Sequence, residues 1–312
     1  CFVMGSAVCR KGDSGSSSRY RYPSGTLVLV AKYPVPGKSK TRLGKTIGYD
    51  QSAKFSRSTL IDLLERFGEL DSLHKVLLFA PVEAKNDFYT LLAHHNLQDS
   101  WQLLPMSGGD NNLRSSDLGG RLRTALVDAR KLAAERSANP TVCFIGSDCV
   151  DLSRKHVLDL LTLAENSTAK DRYRKLANSV VRNSTSGNGY QYQAAILPAN
   201  DGGYVGLALG ADVSPQVFEG VVWSSDRTCV SQLQALTRHG VCCHVGENFD
   251  DIDDFSDLRK LESRVSKMTQ EEIKASKFSH TWSFLSSLKD LCESKSEDGA
   301  AAEVDEDGDT EI

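Results

Sequence analysis

From residue 27 onward, short apolar runs alternate with longer stretches of helical spacing, and this alternation leaves few folds open to the chain. The runs Leu27-Val-Leu-Val-Ala31, Val76-Leu-Leu-Phe-Ala80, Trp101-Gln-Leu-Leu104 and Thr141-Val-Cys-Phe-Ile145 read as strands, most of them buried on both faces. Between the first two, Phe55, Leu60, Leu63, Leu64 and Phe67 mark a helix. Between the last two, Leu118, Leu122, Ala125, Leu126, Ala129 and Leu132 mark another, with Asp117 placed as its N-cap. A helix near Ser153 to Ala164 follows, then strands at Gln193 to Leu197 and Tyr204 to Leu209 joined by the tight turn Asn200-Asp-Gly-Gly203. A helix near Arg227 to Arg238, a strand at Val241 to Val245 and a helix from Phe255 complete the series. Such βαβ units predict an α/β fold with a mostly parallel central sheet and helices on both faces.

The 312 residues allow one large domain with tails or two small ones. Residues 1–25 are rich in Ser, Gly and Arg, which suits a disordered arm or the remnant of an organelle-targeting peptide. The folded domain is expected over 26–265, with a polar insertion at about 165–190, a helical extension at 266–292 and a disordered acidic tail at 293–312. A net charge of −4 argues against a general nucleic-acid partner. No apolar run reaches the length of a membrane span, so a soluble protein with no membrane partner is expected. The eight cysteines include no C-x-x-C pair, and several lie in apolar strands, which points to a reducing compartment, the cytoplasm. Neither a zinc spacing among the seven histidines nor a G-x-S-x-G elbow is present.

The first strand empties into Lys32-Tyr-Pro-Val-Pro-Gly-Lys-Ser-Lys-Thr-Arg42. Glycine lets backbone N–H groups approach phosphate oxygens, cations neutralise their charge, and Pro34 and Pro36 pre-order the turn before Gly37. In an extended segment Lys40 and Arg42 would face one side together. Gly44-Lys45-Thr46 ends like a Walker A loop, but Ser39 stands where its opening glycine belongs. Asp148 and Asp151 follow the fourth strand, on the sheet edge that carries the basic loop. A carboxylate there suits Mg²⁺ or Mn²⁺, and this reading is assigned to Asp148, with helix capping assigned to Asp151 or Ser153. Asp201-Gly-Gly-Tyr204 reads equally as a hairpin turn or as a close approach to a ligand. Asp250-Asp-Ile-Asp-Asp254 reads as a metal site or as a helix start.

The ordered blocks K-Y-P-V-P-G-K-S-K-T-R-L, D-L-G-G-R-L, I-G-S-D-C, P-A-N-D-G-G-Y, F-E-G-V-V-W-S-S and D-I-D-D-F-S-D-L resemble a family of uncharacterised GT-A-type transferases. These share the nucleotide-diphospho-sugar transferase fold, with a distant similarity to 2-phospholactate and molybdenum-cofactor guanylyltransferases. The resemblance spans about Leu27 to Leu261 and implies a Rossmann-like nucleotide half, an acceptor half and a divalent metal, Mg²⁺ or Mn²⁺, between them. By position Lys40 and Arg42 match the phosphate loop, with Lys32, Pro36 and Gly37 beside them as nucleotide-binding candidates. Asp148 matches the metal-binding aspartate, Asp251 or Asp253 the second carboxylate, and Asp201, Gly202 and Gly203 the acceptor side, to which Tyr204 and Trp223 are added. Departures from the family pattern at Gly120, Val150, Asn200, Ser225 and Asp254-Phe255 bear on acceptor identity.

The implied activity is a metal-dependent transfer from a nucleotide substrate to a small-molecule acceptor, with Lys40, Arg42 and Asp148 as catalytic residues. Nucleotidyl transfer from a nucleoside triphosphate is favoured, because a triphosphate needs more neutralising charge. Glycosyl transfer from a nucleotide sugar is the alternative within that class, and a non-catalytic nucleotide-binding protein is the alternative outside it.

Overall fold

The computed structural model describes residues 23–106, 118–136, 138–165 and 192–289. The expected N-terminal arm to residue 22, the Asp117 cap, most of the polar insertion and the acidic tail lie outside these residues. The strands are β1 Gly25–Lys32, β2 Leu73–Ala80, β3 Gln102–Pro105, β4 Val142–Gly146, β5 Ala194–Pro198, β6 Tyr204–Leu209 and β7 Cys243–Val245. They form one sheet of order β3-β2-β1-β4-β6-β5-β7, in which β6 alone runs antiparallel to its neighbours. The helices are α1 Thr41–Ile47, α2 Tyr49–Gly68, α3 Lys85–His94, α4 Leu118–Glu135, α5 Arg154–Ala164, α6 Thr228–Arg238, α7 Phe255–Val265 and α8 Gln270–Ala275, followed by α9 at 279–289.

Period-two alternation decides which side chain faces which layer. Leu27, Leu29, Leu77, Phe79, Cys143 and Ile145 face α2, α3 and α5, whereas Val28, Val76, Leu78, Val142 and Phe144 face α4 and α6. Parallel strands buried on both faces therefore appear as unbroken apolar runs. A third apolar cluster lies off the sheet, where Leu43, Phe55 and Val150 meet Leu258, Leu261, Phe278 and Phe284. It fastens α8 and α9 to α1, α2 and α7.

Several boundaries differ from the sequence reading. Trp101 precedes β3, because its indole N–H donates to the Leu64 carbonyl at 3.1 Å and the ring is buried on α2. The last strand starts two residues late, since the Val241 N–H closes the end of α6 on Leu236 O at 3.0 Å. The segment from Met268 is two helices, broken where Lys277 adopts φ 53°. Helix α3 was not signalled: Phe88, Leu91 and Leu92 are its only buried residues, too few for a period to show. Ser153 does cap α5, accepting from His156 N–H at 3.3 Å. Among the described residues no helix is long and apolar enough to cross a membrane, and Cys143, Cys149, Cys229, Cys242 and Cys243 are free thiols.

Candidate active site

The basic loop is a built turn, not a free one. Lys38 and Ser39 N–H groups both donate to Val35 O, at 3.0 and 3.1 Å, and Val35 N–H returns a bond to Ser39 Oγ at 3.0 Å. Gly37 takes φ 72°, the left-handed conformation that glycine adopts without steric cost. Lys32 Nζ donates to Lys38 O at 3.1 Å and closes the turn from the strand side. The segment that follows is not extended, as the two-residue spacing suggested, but helical from Thr41. Lys40 and Arg42 nonetheless converge, because Lys40 sits at the N-cap in a left-handed conformation, φ 45° and ψ 52°. A non-glycine residue pays about 1–2 kcal/mol for that backbone, and it persists only where the surroundings hold it.

What holds Lys40 is a pair of carboxylates. Its Nζ lies 3.0 Å from Asp148 Oδ1 and 2.9 Å from Asp253 Oδ1, with only 8% of the side chain exposed. Arg42 Nη2 bonds the other Asp253 oxygen from an exposed position. Register explains the meeting of Lys40 with Asp148: β1 and β4 pair in parallel, Val30 beside Gly146, so both loops leave the same edge. Burial pulls the Lys40 ammonium down, but Asp148 and Asp253 outweigh it and raise its pKa above the ordinary lysine value. Burial likewise pushes Asp253 up, and Lys40 and Arg42 reverse this, leaving it below the usual carboxylate range.

The run Asp250–Asp254 divides its labour residue by residue. Asp250 accepts the Asn200 side-chain amide at 2.6 Å, and Asp254 caps α7 through Ser256 and Asp257 N–H at 2.8 and 3.1 Å. Asp251 and Asp253 turn to the cleft, where Asp201 joins them; one oxygen of each lies within 4.8 Å of the others. Burial, then the Asp201 and Asp253 carboxylates, push the Asp251 carboxyl up to about 6. Three facing carboxylates, one of them reluctant to ionise, fit a hard divalent cation with oxygen ligands. Asp201, expected on the acceptor side, thus lies also in the acidic cluster, and Asp148, expected beside Asp251 or Asp253, meets Asp253 through the shared Lys40 ammonium.

Two cavities meet at this wall. One, of about 420 Å³, is lined by Lys32, Lys38, Ser39, Lys40 and Ser147. The other, of about 660 Å³, is lined by Asp201, Gly203, Tyr204, Trp223 and Asp251 over an apolar floor that includes Phe144 and Phe218. Arg42, Asp148 and Asp253 line both. Pro36 and Gly37 shape the turn without lining either cavity, and Gly202 lines neither of them. A Cβ at Gly202, whose φ is 89°, would lie 2.0 Å from Asp226 O. That close approach seats the hairpin turn on the loop 223–228, where Cys229 N–H donates to Gly202 O at 2.8 Å. Sequence reading passed over Ser224, Asp226 and Thr228, which line the larger cavity. The signal was their adjacency to Trp223 and Ser225.

Residues 111–225 match the family described as "Uncharacterized protein conserved in bacteria (DUF2064)". This stretch contains four of the six sequence blocks, D-L-G-G-R-L, I-G-S-D-C, P-A-N-D-G-G-Y and F-E-G-V-V-W-S-S. A solved structure from Desulfovibrio desulfuricans G20, provisionally assigned as a nucleotide-diphospho-sugar transferase, is 23% identical, with a TM-score of 0.57 over 85% of this chain and 97% of that one. This likeness establishes the fold: an α/β nucleotide-diphospho-sugar transferase type with a mostly parallel sheet. A looser likeness, TM-score 0.42 and 10% identity over 78% of this chain and 99% of the other, is to a CMP:2-keto-3-deoxy-manno-octonic acid synthetase complexed with CTP. No curated protein matches the sequence significantly.

Proposed function

We propose that this chain is a Mg²⁺- or Mn²⁺-dependent transferase that takes its donor from a nucleoside triphosphate and passes the nucleotidyl group to a small acidic acceptor. The observation that carries this reading is the meeting of a cation-lined cavity and a larger mixed cavity at one wall of Arg42, Asp148 and Asp253. The phosphates belong on the cationic side, where Lys40 and Arg42 hold the charge of the departing pyrophosphate. The acceptor belongs on the side of Asp201, Tyr204 and Trp223. An acceptor phosphate or carboxylate is already ionised near neutral pH, so the new bond from its oxygen to the α-phosphorus forms as the bond to the pyrophosphate breaks, with no base required. Asp201, Asp251 and Asp253 would hold the divalent ion, whose contribution when bound is to neutralise charge on the phosphates. Tyr204 is kept as the neutral phenol by burial, then by nearby Cys229, which makes it a packing and hydrogen-bonding group and not a proton acceptor.

The aromatic floor favours one further reading. Trp223 and Tyr204 contact edge-on with centroids 6.4 Å apart beside the hydroxyls of Ser224 and Ser225, a surface that suits a sugar ring and hence glycosyl transfer from a nucleotide sugar. Thermal-shift screening of nucleoside triphosphates and nucleotide sugars, each with and without Mn²⁺, followed by product analysis, separates the two. Release of pyrophosphate supports nucleotidyl transfer, and release of a nucleoside diphosphate supports glycosyl transfer. Binding without turnover across a broad acceptor panel would favour a non-catalytic nucleotide-binding protein.

A further inference from the structure

We infer that Glu65, His95 and His280 form a second metal site, for an ion of the zinc class, which fastens the C-terminal helix α9 to the body of the domain. The three residues come from α2, from the C-terminal cap of α3 and from the first turn of α9. No local spacing joins them: His280 lies 215 residues from Glu65 in sequence. In space, Glu65 Oε1 is 3.1 Å from His280 Nε2 and 3.5 Å from His95 Nδ1, and one ligand atom of each residue lies within 4.8 Å of the others. Bonds of about 2.0–2.2 Å to a tetrahedral zinc ion put neighbouring ligand atoms about 3.3–3.6 Å apart. The separations of Glu65 from the two imidazole nitrogens, 3.1 and 3.5 Å, lie close to that edge, so an ion enters with small adjustments.

The site is held in place by bonds that need no metal. Asp62, one turn before Glu65 on α2, accepts His280 N–H at 2.9 Å and Thr281 N–H at 2.8 Å. Arg66, the next residue, donates to Ser276 O at 2.8 Å. These contacts fix the path of the chain into α9 before any ion arrives, which lowers the ordering cost of binding. The side chains of Glu65, His95 and His280 are 27%, 14% and 34% exposed, so one side is open to water as a fourth ligand. Two imidazoles and one carboxylate suit zinc-class ions, whereas the all-carboxylate cluster of the cleft suits Mg²⁺ or Mn²⁺. The two sites therefore sort ions by ligand chemistry.

The test is Zn²⁺ titration of the full chain by calorimetry in excess Mg²⁺, which competes for the carboxylate cleft. The wild-type chain is expected to take up one equivalent. His95→Ala and His280→Ala are each expected to lower that affinity by about tenfold or more. Zn²⁺ should slow hydrogen exchange in residues 279–289 of the wild type and leave exchange in His280→Ala unchanged. Glu65→Gln keeps a hydrogen-bond partner for His280 while removing the charge, and it serves where an alanine variant folds poorly; its Zn²⁺ affinity should fall as well. The Co²⁺ form should lack a thiolate charge-transfer band, which separates this site from binding at Cys242. No Zn²⁺ uptake under Mg²⁺, uptake unchanged in the variants, or a thiolate band would overturn the proposal and leave the three side chains as a hydrogen-bond cluster.

Discussion

At Lys40 the backbone adopts a left-handed conformation, and one buried ammonium thereby reaches two carboxylates from loops far apart in sequence. Arg42, more exposed, can fork across two oxygens of a ligand, which a lysine cannot do. Arg42→Lys should therefore weaken triphosphate binding by roughly 1–3 kcal/mol, the scale of a charge-assisted hydrogen bond. Lys40→Ala should weaken triphosphates more than monophosphates, with the difference shrinking as salt rises. Titration of both variants with nucleoside mono-, di- and triphosphates checks this, and equal losses for all three ligands would count against a phosphate role. The charged residues of the site were legible because strand ends in an α/β sheet deliver their loops to one edge, so Lys40 and Asp148 follow from strand position alone. Their partnership was not legible. The Lys40–Asp253 bond spans 213 positions, and the turn of Asp201 toward Asp251 depends on how the hairpin seats on the Asp226 loop.

Elements set the shape of the cleft, and two of them make testable demands. Gly202 carries the β5–β6 turn with its Cα against the Asp226 carbonyl, so Gly202→Ala must displace that loop. The variant should lose more than about 2 kcal/mol of stability and open the larger cavity, read by denaturant melts and by weakened acceptor-side ligand binding. Toward the other edge of the sheet, His74 of β2 meets Gln102 of β3 through Nε2 at 3.0 Å, while its buried Nδ1 has no partner among the described residues. Burial lowers its pKa below the ordinary 6.5, so between the folded and unfolded values the unfolded chain binds more protons. Its contribution to stability is therefore present above pH 6.5 and declines as pH falls through that value. His74→Gln should make the melting temperature less sensitive to pH between 7.5 and 5.5, measured against the wild type. Helix α1 escaped the sequence reading because Gly44 lies in its middle. That glycine sits in close contact, since a Cβ there would lie 2.6 Å from the Tyr49 ring and 2.9 Å from Ser52 Oγ and would displace those side chains.

For the molecule as a whole, the C-terminal helices are part of the core. Ile273, Phe278, Phe284 and Leu285 are buried with residues of α1, α2 and α7. Each such side chain contributes about 1.5–3 kcal/mol on burial, against a total domain stability of about 5–15 kcal/mol. A chain ending at residue 267 should therefore fail to unfold cooperatively and should bind hydrophobic dyes, as measured by denaturant titration and dye fluorescence. The same truncation removes two of the Arg66 acceptors, Ser276 O and Lys277 O, leaving Val150 O at 2.7 Å and Leu152 O at 2.8 Å as its remaining partners beside the Asp148 loop. One consequence of the Lys40 bridge reaches across the whole cleft. The lysine stands at the acidic wall as a tethered counter-ion, so an incoming divalent ion must compete with it. A polyphosphate that draws the ammonium away leaves Asp148 and Asp253 bare and invites the ion in. On the proposed reading, nucleotide and ion are therefore thermodynamically linked, each raising the affinity of the other by one and the same factor. Mn²⁺ titrations with and without a non-hydrolysable triphosphate, and the converse pair, should return equal factors. In Lys40→Met that factor should fall toward one, because the ion binds tightly from the outset to a wall that has lost its own cation.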